Sequence, residues 1–326
     1  MPVDRRQAIA WLAAALTGLA DSAAAQGTSP LPLLGFVGWA NDGDTSDVDE
    51  LRKGLRDLGW ADGRDILIEA HFTGGSRERT ERVVRDLVSR KAAILVARAT
   101  PVAHIIKAAT QSIPVVMMVS DPLATGLVQS LSHPGGNLTG LSLLGPDLAG
   151  KRLEVLREML PGLRTIGFLG SSSDPNAQGF VDQTRAAARQ AGLGLAVQLV
   201  QGPDALGPGV MQALRADGAE AVVVQPIFAG FQDRIVPPAR AVGLPVVSTY
   251  RAFATAGALL SYGPDEAVLA RRAAHFVDRI LKGAAPASLP VEQPTRFALV
   301  INLRTARDFG LSVPVTLLAR ADETID

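Results

Sequence analysis

Two features of this sequence predict an α/β fold of two similar lobes, each built on a parallel sheet. Short apolar runs rich in Val, Ile and Leu alternate with amphipathic stretches along the chain, the pattern of βα units. The halves also repeat: Ala93-Ile94-Leu95-Val96 matches Ala221-Val222-Val223-Val224, and Ile113-Pro114-Val115-Val116 matches Leu244-Pro245-Val246-Val247. Buried parallel strands resemble one another by composition alone. The shared spacing, 93 to 113 in one half and 221 to 244 in the other, favours a repeated unit.

In the first half the β-rich runs at 33–38, 66–72, 93–97 and 115–119 read as strands. The amphipathic stretches at 47–58, 77–90 and 101–110 read as the helices between them. The second half offers strands at 165–169, 195–199, 221–225 and 246–248, with helices at 177–191, 208–217 and 234–241. The chain then adds a strand at 259–262, a helix at 266–281, a proline-rich extended stretch, a strand at 297–302 and a last helix. A length of 326 residues, 47% of them hydrophobic and 20% charged, suffices to bury two such cores in a soluble protein.

Charge and cysteine content narrow the function. Lys plus Arg and Asp plus Glu number 32 each, and no basic run offers a nucleic-acid footprint, so a nucleic-acid partner is not expected. The absence of Cys excludes disulfides, thiolate metal sites, Cys nucleophiles and a lipid anchored through an N-terminal Cys. Arg5 and Arg6 precede an apolar run at 8–20, and Ala23-Ala24-Ala25 then supplies small residues before Gln26. Residues 1–25 therefore read as a cleaved export signal that delivers the protein to the periplasm. The run is shorter than a membrane span needs, and Asp21 interrupts it.

The closing segment carries an ordered set of motifs: Ser261-Tyr262-Gly263-Pro264, Lys282-Gly283, 289–295, Leu299-Val300-Ile301-Asn302-Leu303, Gly310-Leu311 and 317–322. Further motifs lie upstream at 54–59, Asp121-Pro122, Gly126-Leu127-Val128 and 134–140. In combination they resemble the ABC-transporter substrate-binding family that includes tryptophan- and other amino-acid-binding proteins. That resemblance begins near Leu33. It implies the type I periplasmic-binding-protein fold: two Rossmann-like lobes joined by a three-segment hinge, with crossings near Gly140, Thr255 and Leu289. The N-terminal lobe would then comprise 33–140 plus 256–289, and the C-terminal lobe 141–255 plus 290–326. The implied partners are a small-molecule ligand and the permease and ATPase subunits of an inner-membrane importer.

In such sheets ligands lie beyond the carboxyl ends of the strands. In the first lobe those ends are the loops at 39–42, 98–101 and 120–122; in the second they are 170–174, 225–228 and 249–251. Thr100, before Pro101, can cap a helix, and its hydroxyl with the free helix N–H groups can hold a carboxylate. Asn41, Ser120, Ser171, Ser172 and Ser173 are polar loop positions open to ligand contact or to solvent. Asp121 can accept an ammonium, although Asp before Pro is a common turn starter. Trp39, Phe228 and Tyr250 offer faces for an apolar or aromatic ligand, or pack beneath the loops. At the position before Pro226, where many family members have an acid, this chain has Gln225. A neutral amide does not neutralise a buried ammonium, which favours a carboxylate, amide or uncharged aromatic ligand over a standard amino acid. Arg98 or Arg251 is then available to pair with an anion; either can equally be a solvated rim charge, the favoured reading for Arg98.

Enzyme signatures are missing: the four histidines lack metal-ligand spacing, and no Gly-x-Ser-x-Gly elbow or phosphate loop occurs. No cofactor is expected, and no metal, since the acids at 42–50 lack the calcium-loop pattern. The expected function is ligand capture for an ABC importer. The alternatives are a ligand sensor that signals to a membrane receptor and, less favoured, a two-domain enzyme.

Overall fold

The computed structural model describes residues 30–41, 45–143 and 148–326. The expected export signal lies outside them, as do Asp42 and Asp44. Five parallel strands, β1 (Leu33–Gly38), β2 (Leu67–Phe72), β3 (Ile94–Arg98), β4 (Val115–Val119) and β5 (Leu138–Ser142), form a first sheet in the order β2-β1-β3-β4-β5. Between them run helices α1 (Ser46–Asp57), α2 (Arg77–Ser89) and α3 (Thr100–Ala109). Central strands β1, β3 and β4 are near-continuous apolar runs, as burial on both faces requires.

After α4 (Ala149–Met159) the plan repeats as β6 (Thr165–Ser171), α5 (Ala177–Gln190), β7 (Gly194–Val200), α6 (Pro208–Ala216), β8 (Ala221–Val224), α7 (Gln232–Ala241), β9 (Val246–Ser248) and the short α8 (Arg251–Thr255). Then follow β10 (Leu260–Pro264), α9 (Glu266–Leu281), β11 (Phe297–Asn302), α10 (Leu303–Asp308), α11 (Val315–Leu318) and β12 (Glu323–Ile325). The second sheet has the order β12-β11-β10-β9-β8-β6-β7, parallel except where β10 meets β11.

Strand pairing moves the three crossings a few residues from where the resemblance put them. β5 and Leu143 stay with β4, so the first lobe runs past Gly140 to at least Leu143. β10 pairs with β9, so the second falls at Pro264–Asp265 and not near Thr255. Val291 and Glu292 hydrogen-bond to Leu131 and Gly140, so the third follows Glu292. α9 returns to the first lobe and packs on α1. Gly54 permits the close crossing, since a Cβ there would lie 2.9 Å from the Ala274 Cβ, and Trp60 Nε1 donates to Asp278 Oδ1 at 2.9 Å. Leu51, Leu55, Ala270, Ala273 and Val277 fill the seam. Each large side chain so buried contributes about 2 kcal/mol from removal of apolar surface.

Candidate functional site

The carboxyl ends of the two sheets face each other, and the lobes touch across the gap. Asn41 Nδ2 donates to the Gly230 carbonyl at 3.2 Å, and Asn176 Nδ2 donates to Thr100 Oγ1 at 3.1 Å. Gly230 lies so close to Ala40 that an added Cβ would sit 2.7 Å from the Ala40 Cβ. Two adjoining cavities of about 30 and 20 Å³ lie in this cleft. That is room for one or two waters each. Both are bordered by Arg98, Ala99, Pro226 and Ile227; Trp39 and Asp47 belong to the first, and Thr100, Ser120, Asp174 and Tyr250 to the second.

Ala99 joins β3 to α3 with φ 109° and ψ 151°, a region that residues with a Cβ seldom occupy. The strained turn aims the start of α3 at the cleft, where its first N–H groups have no intrahelical acceptor.

Arg98 is the chief departure from expectation at this end. It is no rim charge: its side chain is 12% exposed and ion-pairs with Asp47 and, at 2.8 Å, with Glu266, both from its own lobe. Its guanidinium stands 5.3 Å from the centre of the Tyr250 ring of the other lobe, a cation–π contact. Burial disfavours the charge, but Asp47, Tyr250 and Glu266 together hold its pKa well above the ordinary arginine value. Burial also raises the Tyr250 phenol, so it stays protonated.

Gln225 occupies the end of β8, 1% exposed. Its Oε1 accepts from the Ser171 N–H at 2.8 Å, and its Nε2 donates to Asp174 Oδ2 at 2.7 Å. Asp174 is 5% exposed, has no cationic partner among the described residues, and also accepts from the Asn176 N–H at 3.0 Å. Burial raises its pKa from 3.8 to about 6. The amide at 225 therefore holds a buried carboxylate in place, and the acid lacking at one position stands in the neighbouring loop.

The other expected residues divide. Trp39, Thr100, Ser120 and Tyr250 border the cleft cavities; Asn41 and Thr100 also make the interlobe hydrogen bonds, and Ser171 anchors Gln225. Pro101 and Phe228 are buried but outside those cavities, Phe228 within an apolar cluster that also holds Phe231 and Ile235. Asp121 starts a turn, accepting from the Ala124 N–H at 2.9 Å. Ser172 and Ser173 turn towards β7 and donate to the carbonyls of Val200 and Gln201. Arg251 is bound by Glu323 through two hydrogen bonds, 2.6 and 2.7 Å, on an exposed face, and borders neither cleft cavity. Asp47, Asp174, Asn176 and Glu266 were not foreseen. Asp47 and Glu266 open helices that start at the cleft, the one signal by which they could have been found. No group of residues that could hold a metal ion occurs among the described residues.

Two α/β lobes whose strand ends meet across a hinged cleft define the type I periplasmic-binding-protein fold. The family model of the ABC transporter substrate binding protein matches residues 39–325, and the chain belongs to that family. A tyrosine-binding protein of Clostridioides difficile is 25% identical over 266 residues, covering 80% of this chain and 76% of that one. Among solved structures, a conserved domain protein of Vibrio cholerae superposes with a TM-score of 0.84 at 26% identity, covering 91% of this chain and 100% of the other. An ABC domain from Streptococcus pneumonia in complex with L-Trp gives 0.83 at 27% identity, covering 90% and 100%.

Proposed function

We propose that this protein is the periplasmic receptor of an ABC importer and closes its two lobes on an amino acid with an aromatic or large apolar side chain. The observation that carries the reading is Asp174: a buried carboxylate at the cleft, oriented by Gln225 and without a cation of its own. A ligand ammonium supplies that cation and removes the cost of the isolated charge. This reverses the expectation drawn from Gln225 alone. Trp39 and Tyr250 offer ring faces, and the tyrosine-binding and L-Trp-bound relatives support an aromatic ligand.

Closure is a population shift. Contacts from both lobes to one ligand exist only in the closed form, so binding favours it. The closed ligand-bound protein is then the form the permease receives, and the ATPase drives the import. The ligand leaves chemically unchanged, in keeping with the family. Its delivery to the periplasm rests on the leader pattern, and no helix among the described residues is long and apolar enough to cross a membrane.

The test is calorimetric titration at pH 7 with L-tryptophan, L-tyrosine, L-phenylalanine and L-leucine, each beside its deaminated acid. At least one amino acid should bind about 100-fold more tightly than its deaminated counterpart, the usual effect of leaving a buried charge unpaired. Equal affinity for the two would remove Asp174 from the site.

A further inference from the structure

Arg152, on α4, is 2% exposed, yet it has no carboxylate partner among the described residues. Its Nε donates to the Tyr262 carbonyl at 3.0 Å, while Nη2 is buried with no hydrogen-bond partner. Buried guanidinium groups are ordinarily paired, because an isolated buried charge is costly. A second orphan adjoins it: Thr249 is 4% exposed and its Oγ1 has no partner. Thr249 packs on the backbone one residue beyond Tyr262, since a Cβ at Gly263 would lie 2.6 Å from the Thr249 Cγ2. Tyr250, next in the chain, borders the cleft cavity that also contains Asp174 and Thr100, and it lies within electrostatic reach of Arg152. A fixed cation and a free hydroxyl at the ends of β9 and β10 are the donor set that a carboxylate needs.

We propose that Arg152, assisted by Thr249, is the anion anchor of the cleft and binds the carboxylate of the ligand, at the opposite end of the zwitterion from Asp174. The proposal rests on the amino-acid reading above and deepens it. A strut joining α4 to β10 would account for the Nε bond but not for the unpartnered Nη2 and Thr249 Oγ1. Burial, which pulls the Arg152 pKa down to about 10 against a smaller opposing effect of Tyr250 and Tyr262, accords with a guanidinium that no carboxylate among the described residues pairs.

The experiment compares wild type with Arg152→Met and Thr249→Val, titrating L-tryptophan against tryptamine and L-tyrosine against tyramine, and following ligand-free melting. Wild type should prefer at least one amino acid to its decarboxylated amine by about 100-fold. Arg152→Met should shrink that preference to under about tenfold, with amine affinity kept and ligand-free Tm equal or higher, because an uncompensated buried charge has been removed. Thr249→Val should shrink it by about tenfold or more, the effect of one hydrogen bond to a charged group. An undiminished preference in both variants, or a wild type that binds acid and amine alike, overturns the anchor while leaving the amino-acid reading in place. A wild type that binds neither compound of either pair, nor any other amino acid, overturns that reading and the anchor with it. Should Arg152→Met fail to fold, Thr249→Val decides: a preference equal to wild type refutes the proposal.

Discussion

Replacing Asp174 by Asn should make the ligand-free protein more stable and the receptor inactive. Burial raises the carboxyl from 3.8 to about 6. About two pKa units correspond to roughly 3 kcal/mol between the two protonation states. The folded protein holds this proton where the unfolded chain has lost it. The cost is therefore absent below about pH 4, grows as pH rises, and is complete above about pH 6. Asn removes it at pH 7 but weakens the hydrogen bonds to Gln225 and the Asn176 N–H, which returns about 1 kcal/mol. The net expectation is about 1–2 kcal/mol of stabilisation at pH 7, a rise of a few degrees in Tm, vanishing near pH 4. Ligand affinity has its own signature. Only the ionised carboxylate pairs with an ammonium, and with a pKa of about 6 the ionised fraction falls about tenfold between pH 7 and pH 5. Kd for the amino acid should rise by that factor in wild type, while Asp174→Asn should bind at least about 100-fold more weakly at pH 7. Paired melting and calorimetric titrations at pH 4, 5 and 7 measure both. A variant less stable than wild type at pH 7, together with a Kd flat between pH 5 and 7, would refute the reasoning.

Arg98→Met should cost about 3 kcal/mol in urea unfolding at pH 7, because it leaves Asp47 and Glu266 without their shared cation. Gly230→Ala forces a Cβ against Ala40 at a residue with φ +82°. It should weaken ligand binding by about tenfold or more by obstructing closure, and the strained alanine should also cost about 1 kcal/mol in unfolding; unchanged affinity would show that this contact is not required. Gly140→Ala should abolish folding, or lower stability by about 3 kcal/mol or more, since its Cβ would lie 2.2 Å from the Met117 carbonyl oxygen. Circular dichroism during expression trials at reduced temperature would report it.

Most of the fold was legible because its strands are apolar runs and its helices are amphipathic. The exceptions have physical reasons. β5 reads Leu-Thr-Gly-Leu-Ser, with a glycine and hydroxyls where a strand signal needs branched side chains. It forms because Gly140 permits close approach to β4 and because Thr139 Oγ1 donates to the Leu289 carbonyl at 2.7 Å. The placement of β10 in the second sheet depends on pairing with β9 and β11, which no local pattern encodes. At the site, strand ends named the right loops, but the direction of each side chain was set elsewhere. Arg98 turns inward because Asp47 and Glu266, 51 and 168 residues away, converge on it. Ser172 and Ser173 turn outward because β7 leaves carbonyls beside them. Gln225 misled for the same reason: its neutrality was visible, whereas the carboxylate it holds lies 51 residues earlier.

Closure on an amino acid is measured most directly by distance. The sequence contains no Cys, so Glu78→Cys on α2 and Asp233→Cys on α7, both exposed and on opposite lobes, accept a pair of spin labels without interference. Pulsed electron–electron spectroscopy on the labelled protein should give a broad or bimodal distribution without ligand. Saturating L-tryptophan or L-tyrosine should narrow it to the shorter distance. A distribution unchanged by an amino acid shown to be bound would contradict the account.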